Sequence, residues 1–129
     1  MFKIFIIFLC LFVYSKSYSK WEKIRTEKDF TEYFALDNIK KLDSTVYLWS
    51  MKDYKKPQKD GYISFKFYTG YNCDEIKYQI FTIVGYKNKM GKGRNFEYIK
   101  NIQNLDTINW IIPIFESEDA ERVNFICSY

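Results

Sequence analysis

The chain has 129 residues, enough for one domain with a single core, and its 20 Lys+Arg against 16 Asp+Glu leave a net charge of only +4. That excess is too small to argue for nucleic acid, and 21% aromatic residues with five glycines and two prolines describe a folded chain rather than a disordered one. Histidine is absent, which removes the commonest general base and the commonest neutral metal ligand.

Residues 1–17 read as a signal peptide. Lys3 supplies a basic start, Ile4 to Tyr14 is an uncharged apolar run, and Ser15-Lys16-Ser17 offers small residues for cleavage before Tyr18. The apolar run is too short for a permanent membrane span, and no second run of about 18 apolar residues follows. Bulky Phe8 and Leu9 before Cys10 argue against lipid attachment there, so Cys10 leaves with the leader. Loss of Lys3 and Lys16 lowers the net charge from +4 to +2. The expected product is an exported domain over residues 18–129, in the periplasm, at the cell surface or secreted.

After cleavage Cys73 and Cys127 remain. An even count in an oxidising compartment makes a disulfide the default, with two buried thiols as the alternative.

Trp21 to Thr26 has mixed polarity and suits an edge strand. Glu32 to Leu36 is rich in strand formers and stops at Asp37-Asn38. Thr45 to Met51 is β-branched and aromatic, as a central strand requires. Asp53 to Gly61 carries Pro57 and Asp60-Gly61 and reads as a turn-rich connection. From Tyr62 to Cys73 the alternation is clean: Ile63, Phe65, Phe67, Thr69, Tyr71 and Cys73 share one face. After a tight reversal, Ile76 to Tyr86 places Ile76, Tyr78, Ile80, Thr82 and Val84 on one side. Lys87 to Gly93 reads as a loop, and Arg94 to Ile99 as one more strand.

At the C-terminus the period changes. Ser117 is a candidate helix N-cap, with Glu118 and Asp119 in the first turn where the helix dipole favours acids. Ala120, Val123 and Cys127 then share one helical face. A sheet face ending in Cys73 and a helix stripe ending in Cys127 can be joined covalently. The expected fold is α+β: an antiparallel sheet of about six strands, with one C-terminal α-helix on one face, tethered by a disulfide.

In this order Trp21, Tyr33 with Asp37 and Ile39, Tyr47-x-Trp49, Asp53 to Gly61, Cys73, Met90 to Gly93, Trp110-x-x-Pro113 and Cys127 together resemble the surface-adhesin protein E family of Gram-negative bacteria, over residues 20–128. The resemblance implies an exported protein with an antiparallel sheet and a helix pinned by one disulfide. Its best-known member is a dimeric surface adhesin that binds host extracellular-matrix proteins and haem. This chain departs from it in lacking a lipid-attachment motif and any histidine, so haem would need Tyr, Met or apolar contacts.

Catalytic motifs are not found. Five residues separate Gly85 from Gly91-Lys92, where a phosphate loop has four, and Gly93 stands where Ser or Thr is needed. Nucleophiles lack a histidine base, no spacing singles out a carboxylate pair, and zinc or calcium patterns are missing. The reading is of no enzyme, no cofactor and no obligatory metal.

Two basic segments remain: Lys52, Lys55, Lys56 and Lys59 in one, Lys87, Lys89, Lys92 and Arg94 in the other. If consecutive strands pair as hairpins, both emerge at the end of the sheet opposite Cys73. A cationic rim there suits acidic glycans, acidic segments of host matrix proteins or membrane phosphates. The plain alternative is that these lysines keep turns and edges soluble. The aromatic surplus either builds the core or leaves an open face for a second copy of the chain or a small ligand. The reading is an exported binding module of adhesin type. The alternative is a periplasmic small-ligand or envelope protein that uses the open aromatic face.

Overall fold

The computed structural model describes residues 20–99 and 110–129, and the expected leader, 1–17, lies outside them. The strands are β1 (Glu22–Thr26), β2 (Phe30–Phe34), β3 (Lys40–Leu42), β4 (Thr45–Tyr54), β5 (Ser64–Asn72), β6 (Lys77–Asn88) and β7 (Lys92–Ile99). All belong to one sheet of order β1-β2-β4-β5-β6-β7, with every pairing antiparallel. The short β3 pairs with residues 45–47 of β4, so it continues the row that β2 begins along residues 50–54. A single 3₁₀ turn, Leu36–Asn38, interrupts that row at the expected stop and buries Leu36. Nothing in the exposed Lys40-Lys41-Leu42 announces a strand; it is held by the hairpin to β4, where Asp43 takes a left-handed backbone.

The helix α1 spans Glu118–Ser128, and the Ser117 side chain accepts from the Ala120 amide at 3.2 Å, the cap that the sequence indicates. Its inward stripe is rotated from the expected one. Val123 and Ile126 are fully buried with Cys127 beside them, whereas Ala120 is only half-buried, because turning Ile126 inward removes more apolar surface from water. These side chains meet Phe34, Leu36, Val46, Leu48 and Tyr71 to form the core. Cys73 and Cys127 are bonded, with Cα atoms 5.5 Å apart, so the reading as two thiols is set aside.

The odd residues of β5 do share the helix-side face: Tyr71 pairs with Val46, Thr69 with Leu48 and Phe67 with Ser50. The uniform alternation expected for β6 fails. Ile80 faces Thr69 and Thr82 faces Tyr68, leaving Phe81 as an extra residue. Thr82 and Val84 therefore turn to the face opposite Tyr78 and Ile80. The bulge gives the helix-side position across from Phe67 to Ile83, a larger apolar side chain than Thr82.

Lys87 to Gly93 is not all loop. β6 runs to Asn88 and β7 restarts at Lys92, leaving a turn in which Met90 and Gly91 have φ of 58° and 65°. A side chain at position 91 would also collide with Lys66.

Candidate functional site

Among the described residues, three places carry groups able to recognise a ligand: the end of the sheet that bears the basic segments, a pocket under α1, and a groove on the opposite face.

At the basic end, the β4–β5 connection and the β6–β7 hairpin are laced together. Lys89 donates to the Tyr54 carbonyl at 2.7 Å and lies 3.7 Å from the Asp53 carboxylate, whose other oxygen accepts from the Met90 amide at 3.0 Å. Lys87 donates to the Asp60 carbonyl and stands 4.1 Å from the centre of the Tyr62 ring. Ser64, fully buried, donates to the Asn88 carbonyl at 2.6 Å and accepts from the Gly91 amide at 2.9 Å. Both basic segments thus share one end of the sheet.

Lys55, Lys56 and Lys59 are exposed in the connection, and Lys92 and Arg94 are exposed on β7. Lys87 and Lys89 are tied to backbone carbonyls and act as cross-braces. The sequence reading did not include Lys28, which with Asp29, Phe30, Tyr54 and Lys55 lines an open groove of about 730 Å³ at this end. Its signal was available: the β1–β2 turn closes at the same end as the β4–β5 connection.

Lys52 does not belong to this group. It lies inside β4, pairs in register with Glu32 of β2, and faces the helix rather than the rim. Alternation from Leu48 and Ser50 carries it to that side.

The pocket under α1 has a volume of about 140 Å³, between the sheet and the first turns of the helix. Its floor holds Glu32, only 1% exposed, flanked on the same strand face by Phe30 and Phe34. Arg122 reaches down from α1 and donates to both Glu32 oxygens, at 2.6 and 2.9 Å, and to Asp119 at 2.6 Å. Arg25 of β1 lies 3.4 Å from Glu32, and the Tyr78 hydroxyl donates to Asp119 at 2.8 Å. Burial alone would lower the Arg122 pKa, but the hydrogen bond and charge of Glu32 outweigh it and hold the guanidinium firmly charged. Tyr78 is pushed up to about 12, by burial first and then by its bond to Asp119.

Across the pocket, Lys52 Nζ stands 4.8 Å from the Phe30 ring centre and 5.9 Å from that of Phe67. Burial, and then the neighbouring Arg122, pull its pKa below the ordinary value.

On the other face, Tyr47, Trp49, Tyr68 and Phe81 form a half-buried cluster, with Trp49 and Tyr68 ring centres 5.1 Å apart. Gly70 makes the cluster possible: a Cβ there would meet Phe81 at 2.9 Å and Tyr47 at 3.0 Å. Beside it, Asp37, Asn38, Ile39 and Lys40 complete an open groove against Trp49 and Tyr68.

Among the described residues no helix is long and apolar enough to cross a membrane, and no group of three metal-ligating side chains occurs. In comparison with known families, the model of the surface-adhesin protein E family matches residues 21–128. No curated protein and no solved structure matches the chain.

Proposed function

The chain belongs to the surface-adhesin protein E family, and from that premise we propose that it is an exported, non-enzymatic binding module whose basic sheet end meets acidic glycans or acidic segments of host matrix proteins. The observation that carries this reading is the convergence of Lys55, Lys56 and Lys59 with Lys92 and Arg94 at one end of the sheet, all exposed. Of the acids at that end Asp29 and Asp60 are exposed, and Asp53 is muted. Asp53 is buried and engaged by Lys89 and the Met90 amide, so its charge projects little into solvent. Exposed like charges on a rigid frame raise the local concentration of polyanions and speed their capture.

Binding of a heparin-like polymer, titrated with salt, tests the idea. Affinity should fall steeply with rising salt, and reversing Lys55, Lys56 and Lys59 to Glu should abolish binding without changing the melting temperature. Affinity independent of salt would leave the lysines with a solubilising role only. Cell fractionation tests the location. Recovery in the outer surface or medium fits contact with host molecules, and confinement to the periplasm removes it.

A second reading rests on the Trp49–Tyr68 groove. Two half-exposed rings beside Asp37 and Asn38 suit a small ligand with an apolar face and hydroxyl edges. Quenching of tryptophan fluorescence by that ligand, lost in Trp49→Ala, would favour it over the basic end. A homodimer accords with either reading, since Phe96 and Tyr98 stand exposed on β7, the last strand of the sheet among the described residues. Light scattering that reports only monomer would remove the dimer.

A further inference from the structure

The pocket under α1 holds one cation without a direct partner among the described residues. Both oxygens of Glu32 are engaged by Arg122, with Arg25 close behind, and Asp119 is engaged by Arg122 and Tyr78. Lys52 has neither an ion pair nor a hydrogen bond among the described residues; its ammonium has only the rings of Phe30 and Phe67. The pocket lining holds two cations, Lys52 and Arg122, and two carboxylates, Glu32 and Asp119, but both carboxylates are taken by Arg122, Arg25 and Tyr78, and Arg25 also lies 3.7 Å from Glu27. Glu118 approaches Arg25 at 3.9 Å from the exposed rim. The cation without a direct partner is the one whose nearest groups are aromatic rings.

The remaining wall is shaped for a compact apolar body. Phe67, Tyr71 and Ile80 line it, with Thr69 at the back. Its volume of about 140 Å³ is close to the ~150 Å³ of a cavity that accepts benzene.

We propose that this pocket binds a small monocarboxylate, with the carboxylate on Lys52 Nζ and the apolar body against Phe67 and Ile80. A partly buried ammonium without a direct counter-charge carries a desolvation cost, which a carboxylate placed on Lys52 offsets. The burial that lowers the Lys52 pKa reports that cost. A dianion such as phosphate fits poorly, because Glu32 and Asp119 lie in the same walls and repel the second charge. A neutral ligand leaves the ammonium unpaired. The carboxylate can belong to a free acid or to the C-terminus of a peptide. The pocket lies on the helix side of the sheet, so the inference does not depend on the basic end or on the Trp49–Tyr68 groove.

Titration calorimetry on the full chain, exported and oxidised, tests it with benzoate for a free acid and N-acetylglycyl-phenylalanine for a peptide terminus. At least one should bind with a Kd of about 1 mM, and the matching amide, benzamide or the peptide amide, about tenfold more weakly. Lys52→Met should lose about tenfold in affinity for the acid while melting no lower than the parent chain, since it removes a buried charge. Lys52→Gln provides a second variant that keeps a polar tip. Which of the two acids binds identifies the source. Equal affinity for acid and amide, full affinity in both Lys52 variants, or no binding of either acid up to roughly 20 mM would overturn the proposal.

Discussion

Arg122 of the C-terminal helix clasps Glu32 of the second strand through two hydrogen bonds, 2.6 and 2.9 Å long, between residues 90 positions apart. Glu32 is 1% exposed, so this contact decides whether the helix can lie on the sheet at its N-terminal half. At the other half, Val123, Ile126 and the disulfide do that work.

Replacing Arg122 with Met should destabilise the fold by roughly 3 kcal/mol, because Glu32 would stay buried without its two hydrogen bonds, with Arg25 at 3.4 Å and Lys52 on the next strand as its remaining cations. The paired change Glu32→Leu with Arg122→Met should recover most of that loss, since an apolar pair of similar size carries no desolvation cost. Urea unfolding of the two variants checks the contrast. A double variant as weak as the single one would mean that Arg122 acts mainly through Asp119.

The Cys73–Cys127 bond closes a loop with a sequence separation of 54 residues. Replacing both cysteines with Ser should cost about 4 kcal/mol on the chain-entropy account. Thermal melts with and without reductant should differ in the parent chain and coincide in the variant. An unchanged parent melt under full reduction would show that the helix docks without its staple.

Gly70 lies under two rings that reach across it from neighbouring strands. Gly70→Ala should cost about 1–3 kcal/mol by forcing Tyr47 and Phe81 apart. The near-ultraviolet circular dichroism should change with it, because the packing of four aromatic side chains is disturbed. An unaltered spectrum would mean that the rings give way freely.

Alkaline pH should act on the helix pocket in two opposed ways. Lys52 has a lowered folded pKa, so native Lys52 loses its proton before the unfolded chain does, and stability rises with pH up to its ordinary 10.5. Tyr78 has a raised folded pKa, so its contribution is complete below its ordinary 10.0 and is lost as pH climbs through about 12. Lys52→Met should flatten the rise. Tyr78→Phe should flatten the fall and cost roughly 1 kcal/mol at neutral pH through the lost bond to Asp119. Denaturant midpoints between neutral and strongly alkaline pH measure both, and a Tyr78→Phe curve parallel to the parent's would refute the assignment.

Much of the fold was written in local pattern. The Ser117 cap, the odd-numbered face of β5 and the pairing of Cys73 with Cys127 need only short stretches and a cysteine count, and all are present. What local pattern could not carry is register. The extra residue at Phe81 depends on which β6 residue best fills the space across from Phe67, and that is a property of two strands together. Lys52 was grouped with its basic neighbours because charge runs read as loops, yet alternation from Leu48 already directs it inward. Glu32 had a visible signal, an acid between two phenylalanines on one strand face, and its answer was an arginine beside the apolar stripe of the last helix. Neither is conspicuous alone; only the pairing explains both.

Because every full strand hydrogen-bonds to the one just before it or just after it, a chain delivered from its N-terminal end can lay down the sheet hairpin by hairpin. Among the described elements, the helix is the one that must wait for residues far behind it. On N-terminus-first delivery of the exported chain proposed above, Cys73 would reach an oxidising compartment ahead of Cys127 and for that interval would be an open thiol, available to oxidases or to the wrong partner. Slowing the docking of the last helix should show first as mixed disulfides at Cys73, before any native strand pairing is lost.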